Sequence, residues 1–152
     1  MIFKQFKQDL FSVDESYYLV HCISADFALG AGIAKEFDKR FNTKQKLFTI
    51  YPNFLKEYHN HSQSGICLPV ERTLNLVTKE RYYQKPSYVS LTTALFRLRD
   101  FCIKNDIKKI AMPKIGCGLD RLHWSKVKPL IVSIFKDTDV EILVCEKEGY
   151  IK

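Results

Sequence analysis

The stretch Tyr17-Tyr18-Leu19-Val20-His21-Cys22-Ile23-Ser24-Ala25-Asp26-Phe27-Ala28-Leu29-Gly30-Ala31-Gly32-Ile33-Ala34 decides how the rest of the chain is read. From Tyr17 to Ile23 it is β-rich and nearly continuously apolar, the pattern of a strand covered on both faces. A loop with Gly30 and Gly32 follows. Ile33, Phe37 and Phe41 then recur at i, i+4 and i+8, which predicts a helix from Ile33 to Phe41. Glycines let backbone N–H groups approach a ligand, and a helix N-terminus favours negative charge. A phosphate therefore fits this loop, as does a plain strand-to-helix turn that needs positive φ. A dinucleotide fingerprint does not fit, because Lys35 stands at its third glycine position and the loop is too long for the tight turn. Nor does the chain carry the Gly-Lys-Ser/Thr of a Walker-type site.

Working outward, the chain opens with a short apolar-polar alternation that predicts a first strand ending near Lys7. Downstream of the helix, Phe48 to Tyr58 reads as helical, with Pro52 beginning or bending it. Ser64-Gly65 punctuates, and Ile66–Val70 and Leu74–Thr78 read as two strands around a polar turn. Tyr88, Leu91, Leu95, Leu98 and Cys102 lie at helical spacing, so Ser87 to Lys104 is the longest predicted helix. Lys109 to Ile115 is a strand, Trp124 to Phe135 an amphipathic helix, and Val140 to Cys145 the last strand. Strands alternating with helices predict an α/β fold of three layers, α/β/α, with a central sheet flanked by helices. The adjacent strands at 66–78 make that sheet mixed.

A second glycine segment, Met112-Pro113-Lys114-Ile115-Gly116-Cys117-Gly118-Leu119-Asp120-Arg121, repeats the chemistry of the first. In a parallel sheet the loops at strand C-termini share one edge, so two such loops can grip a diphosphate from both sides. Asp120 would stand beside the phosphate-sugar, where a carboxylate performs acid-base chemistry or holds a hydroxyl. The competing reading makes it a helix N-cap or first-turn acid.

Composition narrows the class. The 152 residues fit one domain, 1–152, with 46% hydrophobic and 27% charged residues. That excludes a disordered chain, a fibrous repeat and a disulfide scaffold. Five cysteines form no C-x-x-C pair and fit reduced thiols in a cytoplasmic or nuclear protein. No apolar run approaches the roughly 20 residues that cross a bilayer, and the opening residues lack a signal-peptide core. His59-x-His61 reads as a solvated loop and not a metal site. The net charge of +7 reads as a solvated basic surface, because the two proposed phosphate loops are mostly backbone and glycine.

The motifs Gln8-Asp9-Leu10-Phe11, His21-Cys22-Ile23-Ser24, Gly30-Ala31-Gly32-Ile33-Ala34, Val77-Thr78-Lys79, Lys85-Pro86-Ser87-Tyr88, and Met112 through Arg121 with Trp124 occur in one order. Together they resemble the macrodomain family of ADP-ribose-binding domains, and within it the terminal ADP-ribose protein glycohydrolase subgroup. Gln8 departs from the glycine common at that position. The resemblance implies that Asp9 and Leu10 contact the adenine end, and that His21 and Ser24 line the distal ribose region. It implies a first diphosphate loop of Gly30, Ala31, Gly32, Ile33 and Ala34, and a second of Lys114, Ile115, Gly116, Cys117, Gly118 and Leu119. Lys79 and Asp120 would carry catalysis: a neutral lysine amine can attack the aldehyde form of the sugar after ring opening, as Schiff-base lysines do, and the carboxylate can take its proton. Considered alone, Lys79 also reads as a surface lysine at a strand end.

The implied activity is hydrolysis of mono-ADP-ribose from glutamate or aspartate side chains and deacylation of O-acyl-ADP-ribose. ADP-ribose is then ligand and product, and neither cofactor nor metal is expected. Expected partners are ADP-ribosylated proteins and O-acyl-ADP-ribose, with no membrane and a monomeric chain. The alternatives are removal of ADP-ribose from ADP-ribosylated DNA, binding as a non-catalytic reader, and a phosphatase acting on ADP-ribose 1″-phosphate.

Overall fold

A computed structural model of the chain describes residues 1–59 and 65–147. His61, Ser64 and the tail beyond residue 147 lie outside the described residues. Six strands form one sheet: β1 (Ile2–Lys7), β2 (Tyr18–Ser24), β3 (Ile66–Val70), β4 (Thr73–Lys79), β5 (Lys109–Met112) and β6 (Glu141–Glu146). Their spatial order is β1-β6-β5-β2-β4-β3. Every pairing is parallel except β3 with β4, so the sheet is mixed as expected.

Alternation along the strands sends apolar side chains to both faces. Val20, Leu74, Leu76, Ile110, Met112, Ile142 and Val144 pack beneath α4 (Tyr88–Lys104) and α5 (Trp124–Phe135). On the other face, Leu19, Ala111, Leu143 and Cys145 meet Phe37 of α1 (Gly32–Phe41). Ile23, Leu68, Val70 and Val77 meet Leu47 of α2 (Thr43–Ile50) and Phe54 and Tyr58 of α3 (Phe54–His59). Two apolar faces covered by helices make the three layers.

The helix expected over Phe48–Tyr58 is two helices. Asn42 ends α1 in the left-handed region, φ 54°, and its N–H returns to Asp38 O at 2.8 Å, so the chain re-enters a helix at once with α2. Pro52 then forces the break before α3, because the residue preceding a proline is steered out of the helical region; Tyr51 has φ −125° and ψ 63°. The strand expected over Lys109–Ile115 stops at Met112, since Pro113 has no N–H to extend the ladder. The 3-10 turn Leu10–Ser12, capped by the Asp9 carboxylate accepting the Phe11 N–H at 3.0 Å, has no counterpart in the sequence reading.

Candidate active site

The strand order sets β4, β2 and β5 side by side, with all three running parallel. Their C-terminal ends open into a cavity of about 1020 Å³ that contains both glycine loops. This is where parallel sheets place ligands, and the volume is at the upper end of ordinary ligand sites. Gly30, Ala31, Gly32, Ile33 and Ala34 form one wall, and residues 113–119 the opposite wall. Lys79 and Asp120 stand together between them.

Lys79 is the last residue of β4. A shift in the β2–β4 register after Ile23 brings Ser24 opposite Lys79, and such irregularities re-aim the side chain that follows. The Lys79 carbonyl accepts the Ala25 N–H at 2.9 Å, and Glu80 O accepts the Asp26 N–H at 3.1 Å, so the strand end is fixed on the β2 side. The side chain reaches across β2 to Asp120: Nζ donates to Oδ1 at 2.6 Å, and both side chains are 14% exposed. Lys79 is therefore not a free surface lysine. Asp120 is not a helix cap either: the N-cap of α5 is His123, and it makes no side-chain cap bond.

Two further contacts hold this pair, and both were missed in the sequence. Asp26 accepts from Ser24 Oγ at 2.5 Å, from the Ala28 N–H at 3.2 Å and from the Tyr82 N–H at 3.0 Å. One carboxylate thus ties the first glycine loop to the segment after Lys79. On the far side, Lys85 Nζ donates to Leu119 O at 2.7 Å and pins the loop that carries Asp120. The only local signal for Asp26 was a polar Ser24-x-Asp26 pair at the end of an apolar strand.

The glycines differ in what they are for. Gly116 has φ +73°, and a Cβ there would lie 3.1 Å from Leu122 Cδ1, so the fold itself demands glycine. Gly30 has no left-handed φ, and its Cβ would meet only Ala28 O at 3.9 Å. The protein's own packing leaves that space open toward the cavity. Beside it, Phe27 and Leu29 hold φ of 54° and 44°, a strained conformation for side chains of this size. Burial keeps Phe27 there: its ring stacks on Phe54 at 5.5 Å and meets Phe48 edge-on at 5.2 Å.

Three thiols line the cavity, those of Cys22, Cys117 and Cys145. Burial first, and then the negative charge of Asp120, push the Cys22 thiol up; Lys79 opposes the rise. Burial likewise raises the Cys117 thiol to about 11 against the pull of Lys114. Burial raises the Cys145 thiol to about 11 as well, so all three thiols are neutral near pH 7.

The cavity carries five lysines, Lys7, Lys79, Lys85, Lys114 and Lys147, against the carboxylates Asp120 and Glu146. The basic surplus is therefore not confined to a solvated surface, as the sequence reading had it; part of it lines a site suited to an anion. Not every expected residue faces this space. Asp9, Leu10 and His21 are not among the lining residues. Leu10 is fully buried, and Asp9 pairs with Lys147 at 3.1 Å near the rim. His21 is fully buried with its ring stacked on Phe37 at 3.6 Å and Nε2 2.5 Å from Asn75 Oδ1. It sits behind the wall that Ser24 lines.

Solved structures share this arrangement of sheet and helices. The macrodomain of Mycobacterium tuberculosis DarG superposes with a TM-score of 0.79 over 95% of this chain and 97% of that one, at 22% identity. Thermosipho africanus DarTG, solved in complex with ADP-ribose, gives 0.73 over 95% of this chain and 41% of that one, at 19% identity. No family model matches the sequence. The fold is that of a macrodomain. At the sequence level, ADP-ribose glycohydrolase OARD1 of Bos taurus is 38% identical over 142 residues, 91% of this chain and 87% of that protein. The chain belongs to the macrodomain family, in the branch of ADP-ribose glycohydrolase OARD1.

Proposed function

We propose that this protein is an ADP-ribosyl hydrolase that releases mono-ADP-ribose from glutamate and aspartate side chains and deacylates O-acyl-ADP-ribose. The observation that carries the reading is the 2.6 Å contact of Lys79 Nζ with Asp120 Oδ1 inside the cavity between two glycine loops. ADP-ribose would lie with its diphosphate along Gly30–Ala34 and 114–119, which brings the distal ribose to the pair. Asp9 and Leu10 approach the adenine end through the backbone of the 3-10 turn.

Asp120 takes a proton from the Lys79 ammonium, and the freed amine bonds to the anomeric carbon of the sugar. The bond from that carbon to the acyl oxygen breaks, and the carboxylate leaves with the electron pair. Asp120 passes its proton to the departing carboxylate, then takes one from water, whose oxygen replaces the lysine nitrogen on the sugar, and returns it to the freed Lys79 amine. The net change is ester plus water to ADP-ribose plus carboxylic acid, with both side chains restored. A reader needs the loops but no part-buried lysine-carboxylate pair, so that pair favours hydrolysis over binding alone. Incubation with substrate, followed by reduction and mass spectrometry, should find a sugar adduct on Lys79 that is absent from Lys79→Ala. Turnover without any such adduct, and undiminished in the variant, overturns the assignment.

A further inference from the structure

Beyond Lys79 the chain runs Glu80-Arg81-Tyr82-Tyr83-Gln84-Lys85 beside the mouth of the cavity. Tyr82 and Tyr83 are the most exposed large aromatic side chains among the described residues, at 66% and 68%. Tyr82 and Lys85 line the cavity, whereas Arg81, Tyr83 and Arg121 lie outside it. Arg81, Lys85 and Arg121 are all exposed, and among the described residues no carboxylate pairs with them. The acids close by are otherwise engaged. Asp26 accepts from three donors, Asp120 holds Lys79, and Glu80 has an interaction of its own. Cations and bare rings thus gather beside the cavity that holds Lys79 and Asp120.

We infer that Arg81, Tyr83 and Arg121 form a docking surface for the acceptor polypeptide, and that this polypeptide is acidic around the modified residue. The inference rests on the carboxylate-ester reading and names its substrate class. Charge complementarity sets the sign of the partner. The ring geometry sets its kind. The two tyrosines meet edge to face, 5.4 Å apart with planes at 85°. Consecutive bases of a single strand stack on separate open ring faces, and perpendicular rings in contact do not offer two of these in line. They form an angled notch with two phenol hydroxyls, which suits the side chains and amides of an extended peptide.

The test uses four substrates: a peptide ADP-ribosylated on glutamate with acidic flanks, the same peptide with neutral flanks, O-acetyl-ADP-ribose, and an ADP-ribosylated single-stranded oligonucleotide. The native protein should favour the acidic flanks, with a preference that fades as salt rises. Arg81→Glu combined with Arg121→Glu should lower kcat/KM on the acidic peptide about tenfold, through KM, and erase the preference. Tyr83→Ala should weaken both peptides alike. Turnover of O-acetyl-ADP-ribose should be unchanged in all variants. Equal rates on the two peptides, or equal losses on peptide and O-acetyl-ADP-ribose, overturn the inference. A greater loss on an ADP-ribosylated single-stranded oligonucleotide than on the acidic peptide also overturns it, in favour of nucleic acid. If the native protein cleaves none of the esters, the hydrolase reading fails separately. Calorimetry then decides the docking: the acidic conjugate binding tighter than free ADP-ribose supports it, and equal affinities sink it.

Discussion

The Asp26 carboxylate accepts the backbone N–H of Tyr82 at 3.0 Å, across 56 residues of chain. It ties the loop after β2 to the segment after β4, with Lys79 at their junction. Asp26→Ala should therefore lower kcat by roughly tenfold or more while the cavity still binds ADP-ribose, because the cost is misplacement of Lys79, the proposed nucleophile. Asp26→Asn keeps an acceptor oxygen and should recover part of the loss. Steady-state kinetics and ADP-ribose calorimetry on both variants check this, and a parallel fall in affinity and kcat would count against a positioning role.

Lys79→Ala and Asp120→Ala should each abolish ester hydrolysis, and the double variant should be no worse than either alone, since the two act as a unit. Both side chains are 14% exposed. Removing one leaves the other in the cavity without its partner, so stability should fall modestly, by about 1 kcal/mol, in each single variant. Kinetics alongside urea unfolding separates the two effects.

Gly30→Ala and Gly116→Ala should fail in opposite ways. Alanine at Gly30 meets nothing closer than 3.9 Å, so stability should stay within about 0.5 kcal/mol while ADP-ribose affinity drops tenfold or more. Alanine at Gly116 must hold φ +73° with Leu122 Cδ1 at 3.1 Å, which should cost about 1–2 kcal/mol of stability before any ligand is added. Thermal unfolding with and without ADP-ribose distinguishes them.

His21 makes stability depend on pH. Burial holds its imidazole down at about 4, against an ordinary value of 6.5, with the Asn75 contact opposing the fall. Between those values the unfolded chain binds the extra proton. Its contribution is fully present above pH 6.5 and is lost as pH falls toward 4, up to about 3 kcal/mol. His21→Gln, which cannot take the charge, should lose less stability than the native protein between pH 7 and about pH 4.5, as measured by urea unfolding.

Elements with a local pattern were legible in the sequence. The apolar run of β2, the i, i+4 spacing of α1 and the seam of α4 each announce themselves within a few residues. The Ser87 cap of α4, with Ser90 Oγ reaching Thr78 O at 2.7 Å, agrees with its expected start. The start of α2 was not legible, because Thr43-Lys44-Gln45-Lys46 is polar and only Thr43 and Leu47 of that helix are buried. Asp120 was singled out by its glycine segment and Lys79 by resemblance, but their meeting depends on β2 lying between β4 and β5, which no window of the sequence contains. The latches at Asp26 and Lys85 escaped for the same reason: each is a contact between loops that only the sheet order brings together.

The sheet order also sets a timetable. β6 lies between β1 and β5, and Ile2 of the first strand pairs with Glu141 of the last. A chain emerging from the ribosome therefore makes β1 long before its partner exists. It must keep an unpaired edge soluble until β6 arrives to join the two halves of the sheet. Three of the six residues of β1 are lysine or glutamine, Lys4, Gln5 and Lys7, a composition that resists premature pairing during that wait.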